Sequence, residues 1–236
     1  MFFISPPFGN YIDFLPSVIP IKGSYTLEPR SGLFLQILKT LRYDFERNGW
    51  VNKIGLRNPG IDFAVQNYIK GKHIVSIAIL QPPDIAYIVQ KIPTNMDIEL
   101  NVSCPNAEKS METHGLSRFL NSERKWCIVK LSPLCDTQLI DQYYSEGFRQ
   151  FHCSNTLPDP PRGGLSGKSC QPYNKVLIKY IREKYPDTEI IGGGGITHCT
   201  DIDLYRKWGA NHFAFSTVAF CPYLFGKLYK SIKEQL

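Results

Sequence analysis

The 236-residue chain has no Cys-x-x-Cys pair, no His/Cys grouping with metal-ligand spacing and no apolar run of membrane-spanning length. Its seven cysteines are an odd number spread along the chain. That excludes a disulfide framework or a zinc site as the organising device and fits a reducing compartment. Cys127, Cys153 and Cys221 lie in or beside apolar runs and are read as packing residues. Met1-Phe2-Phe3-Ile4 is too short for a signal peptide or a membrane span, and Pro6-Pro7 ends it. A soluble, cytoplasmic protein without metal is therefore expected. A dinucleotide G-x-G-x-x-G fingerprint is missing as well. So are linkers, low-complexity tracts and internal repeats, and residues 1–236 read as one domain. The net charge of +6 is modest. It favours anionic ligands but does not by itself indicate nucleic acid or a membrane.

What is present suits a packed enzyme. Apolar residues make up 43% and aromatics 13% of the chain, enough for a sizeable core. Strand-like segments at 2–5, 18–22, 74–79, 98–103, 127–131, 150–154, 189–192 and 212–216 alternate with helix-like ones. The helical patterns fall at 33–38, 62–70, 84–91, 136–146, 173–184, 201–208 and 222–235. Eight strands in such alternation predict an α/β fold of the (β/α)8 barrel type, which commonly runs to about 250 residues. A barrel of this type carries its site at the C-terminal ends of the strands.

The most informative stretch is Glu99-Leu100-Asn101-Val102-Ser103-Cys104-Pro105-Asn106. It reads as a strand stopped by Pro105, with Asn101 and Ser103 on one face. Cys104 sits where the strand opens into a loop, flanked by two carboxamides that can each donate and accept hydrogen bonds. A small buried Cys in an Asn-rich turn is the alternative reading. Gly192-Gly193-Gly194-Gly195 lies between an apolar strand and a helix. Glycines there let backbone N–H groups converge on an anion, and Ser216-Thr217 at the next strand end offers more donors. Together they read as a phosphate cup; a glycine-rich turn with no ligand is the alternative.

The octapeptide resembles the active-site strand of the dihydroorotate dehydrogenases, in particular the class 1 enzymes with Cys as catalytic base. Asn52-Lys53-Ile54-Gly55-Leu56-Arg57-Asn58-Pro59-Gly60 is similar to that family's substrate loop. Val129-Lys130-Leu131-Ser132-Pro133 is similar to its flavin-lysine strand. Ser154-Asn155-Thr156, Gly163-Gly164-Leu165-Ser166-Gly167, residues 191–196 and Ser216-Thr217 follow in the family's order.

The resemblance implies an FMN-binding barrel that oxidises dihydroorotate to orotate in pyrimidine biosynthesis. Flavin N5 would take a hydride and Cys104 a proton. FMN would be held by Ser5, Lys22, Ser24, Asn101, Lys130, Ser154, Gly167, Gly193, Gly194, Gly195, Ser216 and Thr217. Lys130 would sit by the flavin's pyrimidine edge, the flavin supplying the partner that a buried lysine needs. Lys22 resembles the family's second flavin lysine, although Leu33-Phe34 replaces the usual Asn-Pro downstream. The substrate would meet Asn52, Ile54, Gly55, Leu56, Asn106, Asn155 and Thr156. The resemblance implies fumarate, or NAD through an iron–sulfur partner subunit, as electron acceptor, and a homodimer. A flavin-dependent pyrimidine or dihydrouridine reductase and a non-catalytic FMN-binding barrel are the competing readings.

Overall fold

The computed structural model describes residues 1–103 and 115–235. Cys104 and Asn106 therefore lie outside the described residues. The chain runs β1 (Phe2–Ile4), β2 (Val18–Tyr25), α1 (Leu33–Thr40), β3 (Arg42–Asp44), β4 (Gly49–Asn52), α2 (Ile61–Gln66), β5 (Ile74–Ile77) and α3 (Pro82–Lys91). It continues with β6 (Ile98–Asn101), β7 (Cys127–Leu131), α4 (Thr137–Ser145), β8 (Gln150–Cys153), β9 (Leu157–Asp159), β10 (Gly163–Gly167) and α5 (Gln171–Lys184). The last elements are β11 (Glu189–Gly193), α6 (Cys199–Trp208), β12 (His212–Phe215) and α7 (Pro222–Glu234).

β1, β2, β5, β6, β7, β8, β11 and β12 close into a parallel barrel, the eight strands expected from the sequence. Parallel strands are covered on both faces, so they read as near-continuous apolar runs. Alternation still decides where each side chain goes. Phe3, Ile21, Ile74, Trp126, Ile128, Ile191 and Ala214 form one buried cluster, the barrel interior. Their neighbours Phe2, Ile4, Val75, Val129, Phe151 and Ile190 face outward and pack with Ile85, Ile140, Ile178 and Ile202 of the helices.

The helices start and stop for local reasons. The Asp136 side chain accepts from Gln138 N and caps α4. Prolines stand in the first turns of α3, α5 and α7, where a missing N–H costs nothing. Gly209, at φ 114°, ends α6. α1 buries no side chain and leaves Phe34, Leu35 and Leu38 exposed.

One layer was not expected. β3, β4, β10 and β9 form a four-stranded antiparallel sheet laid beside the barrel mouth. Its inner face is carried by Val51 opposite Leu165, both buried. Arg47 ties its edges together through Asp44 at 2.7 Å and Asp159 at 3.0 Å. The cysteine reading needs one correction. Cys127 and Cys153 are buried packing residues, but Cys221 is exposed because it precedes α7 at the surface.

Gly9 marks the tightest approach at the end of β1. A Cβ there would lie 2.1 Å from Ile21 O and 2.5 Å from Ile4 O, both fixed backbone atoms. Gly9→Ala is expected to cost about 1–3 kcal/mol, the range for overpacking. Urea unfolding at an unchanged midpoint would count against this packing.

Candidate functional site

The C-terminal ends of the barrel strands open into a cavity of ≈ 360 Å³. Its floor is built from side chains that alternation turns inward, one layer above the apolar interior. Lys130 stands level with Asn101 on one side and His152 on the other, on three adjacent strands. All three line the cavity.

Below them lies Glu99, with no exposed surface. Its Oε1 accepts from Ser76 Oγ at 2.9 Å and faces Lys130 Nζ at 3.5 Å. Its Oε2 is 2.6 Å from His152 Nδ1. Burial pushes this carboxyl's pKa up, but the Lys130 charge, with the hydrogen bonds from His152 and Ser76, outweighs it and holds the pKa down to about 2. Glu99 is thus ionised at neutral pH. Burial, and then Lys130, push the His152 imidazole below its ordinary value against the pull of Glu99. A buried lysine was expected to find its partner in a flavin. The protein supplies that partner itself, and it is Glu99.

The anion orders a chain of donors. The single proton of Ser76 Oγ is directed at Glu99, so the Ser24–Ser76 contact of 2.9 Å has Ser24 as donor. Asn101 Nδ2 donates to Ser24 Oγ at 2.8 Å, and Asn155 Nδ2 donates to Asn101 Oδ1 at 2.9 Å. Thr156 N donates to Asn155 Oδ1 at 2.9 Å. Ser103 Oγ donates to Lys130 O at 3.0 Å and fixes the chain just before Cys104. The carboxamides are therefore oriented by the network rather than free to flip.

A second wall is the loop after β4. Asn52, Ile54, Gly55, Leu56 and Arg57 line the cavity. Gly55 and Leu56 both have positive φ, 74° and 55°. Arg30 Nε donates to Gly55 O at 3.3 Å and Asn58 Nδ2 to Leu56 O at 2.7 Å, which draws both carbonyls toward these partners. Asn58 Oδ1 also accepts from Thr26 N and Gly60 N, pinning the loop to the end of β2.

The opposite wall is glycine-rich. Gly194 and Gly195 line the cavity at φ 99° and 74°. The Gly193 carbonyl accepts from Asn174 Nδ2 at 2.6 Å and Tyr205 Oη at 2.9 Å. The single Tyr205 hydroxyl hydrogen is shared with Gly194 O, 2.7 Å away. Helices α5 and α6 thus fix the glycine backbone. Gly167, Ser154, Ser216 and Thr217 complete this end. The Ser216 hydroxyl is committed to Ser5 O and Pro6 O at 3.0 and 3.1 Å. Ser5 Oγ lies buried in the lining with no hydrogen-bond partner among the described residues. Leu33, Ile37 and Leu41 of the α1 region form an apolar rim.

Two expected site residues are placed elsewhere. Gly193 ends β11 beneath the lining rather than in it. Lys22 follows the inward-facing Ile21, so alternation turns it out of the barrel, where Nζ pairs with Asp13 Oδ2 at 2.8 Å. Its neighbours Gly23 and Ser24 do reach the cavity because β2 shifts register between Lys22 and Tyr25. Glu99, His152, Ser76, Asn58, Asn174 and Tyr205 were not expected. Glu99 and His152 could have been found, since each shares a strand face with an expected residue two positions on, Asn101 and Ser154.

The sequence profile of the dihydroorotate dehydrogenases matches residues 17–236. The chain belongs to the dihydroorotate dehydrogenase family. Members of this family are FMN-dependent oxidoreductases that convert dihydroorotate to orotate in pyrimidine biosynthesis. The dihydroorotate dehydrogenase B (NAD(+)) catalytic subunit of Petrotoga mobilis is 30% identical over 80% of this chain and 73% of its own. That of Latilactobacillus sakei is 29% identical over 97% and 84%. The crystal structure of DHODH in complex with ferulenol from Eimeria tenella matches the fold with a TM-score of 0.71, at 16% identity, over 91% of this chain and 73% of that one. No helix among the described residues is long and apolar enough to cross a membrane.

For this dihydroorotate dehydrogenase family chain, Glu99→Gln should cost about 3–5 kcal/mol at neutral pH, because it leaves the Lys130 ammonium buried without its counter-charge. A carboxylate with a depressed native pKa stabilises the fold above its unfolded value and loses that contribution as pH falls through the native one. The wild type should therefore lose stability as pH falls from about 4.5 toward 2, and Glu99→Gln should lack that component. Urea unfolding across pH gives both numbers, and superimposable curves would contradict the assignment.

Proposed function

We propose that the chain oxidises dihydroorotate to orotate with FMN held in the described cavity. The observation that carries this reading is one cavity with an oriented ammonium–carboxamide floor, Lys130 with Asn101 and Asn155, and a glycine-built anion cup opposite. The residues fit FMN. A Cβ on Gly195 would lie 2.7 Å from Lys168 Cα, so only glycine admits this close turn. The glycine N–H groups and Thr217 suit a phosphate, and the unpartnered Ser5 hydroxyl supplies a further donor on the same face. Ser24, Ser154, Gly167 and Ser216 complete the FMN surface. Lys22 is left out of it.

Bound there, FMN supplies the hydride acceptor. The remaining chemistry belongs to the chain. Asn52, Asn101, Asn106 and Asn155 would satisfy the alternating N–H and C=O groups of the dihydropyrimidine without adding charge. The N–H groups of Ile54, Gly55 and Leu56 would hold the substrate carboxylate, the Gly55 and Leu56 carbonyls being drawn away by Arg30 and Asn58. Thr156 closes the rim. Lys130 favours negative charge on the ring system opposite the substrate. Cys104 follows Ser103 directly, and its Sγ would accept the proton from the substrate carbon. An ordinary thiol has a pKa near ~8.5, so the rate should rise toward mildly alkaline pH.

The Petrotoga and Latilactobacillus relatives are catalytic subunits of an NAD(+) enzyme. An NAD-linked iron–sulfur partner subunit in the cytoplasm is accordingly favoured over fumarate as electron acceptor, and a homodimer is the proposed assembly of the barrel itself.

Purified protein should carry about one flavin per chain that bleaches when dihydroorotate is added without oxygen; a flavin that stays oxidised would overturn the proposal. Gly195→Val should lose the flavin while keeping the wild-type circular dichroism spectrum, since its side chain collides with the Lys168 backbone; full flavin occupancy would remove the cup from the argument. Cys104→Ala should bind flavin and orotate but reduce roughly 10²–10⁴-fold more slowly, the usual loss for a positioned general base. Cys104→Ser should recover part of the rate at higher pH. Anaerobic stopped-flow reduction by dihydroorotate distinguishes these outcomes, and a near wild-type rate in Cys104→Ala would exclude the thiol as base.

A further inference from the structure

The interior of a (β/α)8 barrel is ordinarily filled by layers of branched apolar side chains. Here the interior that holds Ile21, Ile128, Ile191 and Ala214 also holds Ser76, Glu99 and His152, contributed by β5, β6 and β8. His152 is 1% exposed, and a buried imidazole beside a buried carboxylate is an expensive choice for packing alone. The charged groups acting on it are Glu99 from β6 and Lys130 from β7. β5 contributes only the Ser76 hydroxyl to this cluster. β11 contributes the Gly193 backbone, where an added Cβ would lie 2.8 Å from His152 Nε2.

We propose that His152 is a positioning residue for the flavin face of the site: by donating Nδ1–H to Glu99 Oε2 it holds that carboxylate with its other oxygen turned to Lys130, so that Lys130 presents a charge-balanced, fixed ammonium to the cavity. The inference rests on the reading that Lys130 faces FMN. The tautomer follows from the partner. An ionised carboxylate only accepts, so at 2.6 Å the hydrogen sits on Nδ1. The division of labour at Glu99 follows as well. Ser76 and Lys130 share Oε1, whereas Oε2 has His152 as its hydrogen-bond partner among the described residues. Without His152 a fully buried carboxylate oxygen would be left unsatisfied, and Glu99 would take up a proton. Lys130 would then lose its counter-charge and its tether together. The directions of the two shifts, Glu99 held down and His152 pushed below its ordinary value, agree with this arrangement.

His152→Leu and His152→Asn test it, because the Asn amide keeps a donor close to the Nδ1 position and Leu does not. The first readout needs no flavin. Infrared spectra of the flavin-free protein at neutral pH should show a buried protonated carboxylic acid in His152→Leu, absent from wild type and from His152→Asn. The band should vanish when Glu99→Gln is added. The second readout is the two-electron midpoint potential of bound FMN. An uncancelled Lys130 charge should shift the reduction equilibrium about tenfold toward reduced flavin in His152→Leu, or about 30 mV, with His152→Asn near wild type. If His152→Leu does not fold, His152→Gln, which carries the donor one bond further out, takes its place with the same expectation. No carboxylic acid band in either variant, or a His152→Asn protein as perturbed as His152→Leu, would overturn the proposal. A chain that binds no FMN would overturn the flavin reading separately, and the infrared result would still decide whether His152 controls Glu99.

Discussion

Glu99 is the anion on which the cavity floor depends. It has no exposed surface, and its two oxygens can only accept. Every neighbouring hydrogen is therefore directed toward it: Ser76, His152 and the Lys130 ammonium directly, then Ser24 through Ser76, and Asn101 through Ser24. Asn155 follows, since its Nδ2 must address the Asn101 oxygen left facing it. A neutral side chain at position 99 would not impose this direction. The orientation of two carboxamides at the proposed substrate face, one on β6 itself and one past the end of β8, is thus traceable to one buried charge on β6. Such a charge is weak support for stability, because desolvation offsets most of the attraction. Its return is a single hydrogen-bond pattern.

The opposite wall is ordered by a different device. The glycines have no side chains to lock, so the helices lock the Gly193 and Gly194 carbonyls instead. Asn174 of α5 and Tyr205 of α6 bond the Gly193 and Gly194 oxygens, and Ser154 Oγ in turn donates to Asn174 Oδ1. The loop after β4 repeats the principle with Arg30 and Asn58. In each case a carbonyl is engaged by a side chain of the scaffold, and the flexible backbone next to it is thereby held at the cavity. Preorganised N–H groups of this kind need no rearrangement when an anion arrives.

Much of this was legible in the sequence. The eight barrel strands were, because buried parallel strands are apolar runs bounded by turns, and the helices between them were found to within a few residues. β3, β4, β9 and β10 were not. They are three to five residues long and partly exposed, two of them begin with glycine, and the β4–β10 pairing that unites them joins residues more than a hundred positions apart. No local pattern carries that information. Lys22 was misplaced although its neighbour Ile21 held the answer. Motif resemblance drew it into the site, and strict alternation turns it out. Glu99 stands inside the most informative octapeptide without a readable role, because an acid flanked by Ile98 and Leu100 gives no sign of its partner until β7 and β8 are set beside β6.

That last point explains why the proposed flavin face is spread over adjacent strands rather than over one motif. Lys130 by itself would be a buried cation, and His152 by itself a desolvated imidazole. Each is tolerated because parallel pairing brings Lys130 opposite both Asn101 and His152, with Glu99 one layer below. The cluster of Lys130, Glu99 and neutral His152 carries no net charge, so it can sit in a barrel interior that would reject any single member. It still presents its positive end upward, toward the cavity where negative charge is proposed to develop. A neutral cluster with a directed dipole meets both demands, the interior's and the site's, and three neighbouring strands are the least that can assemble it.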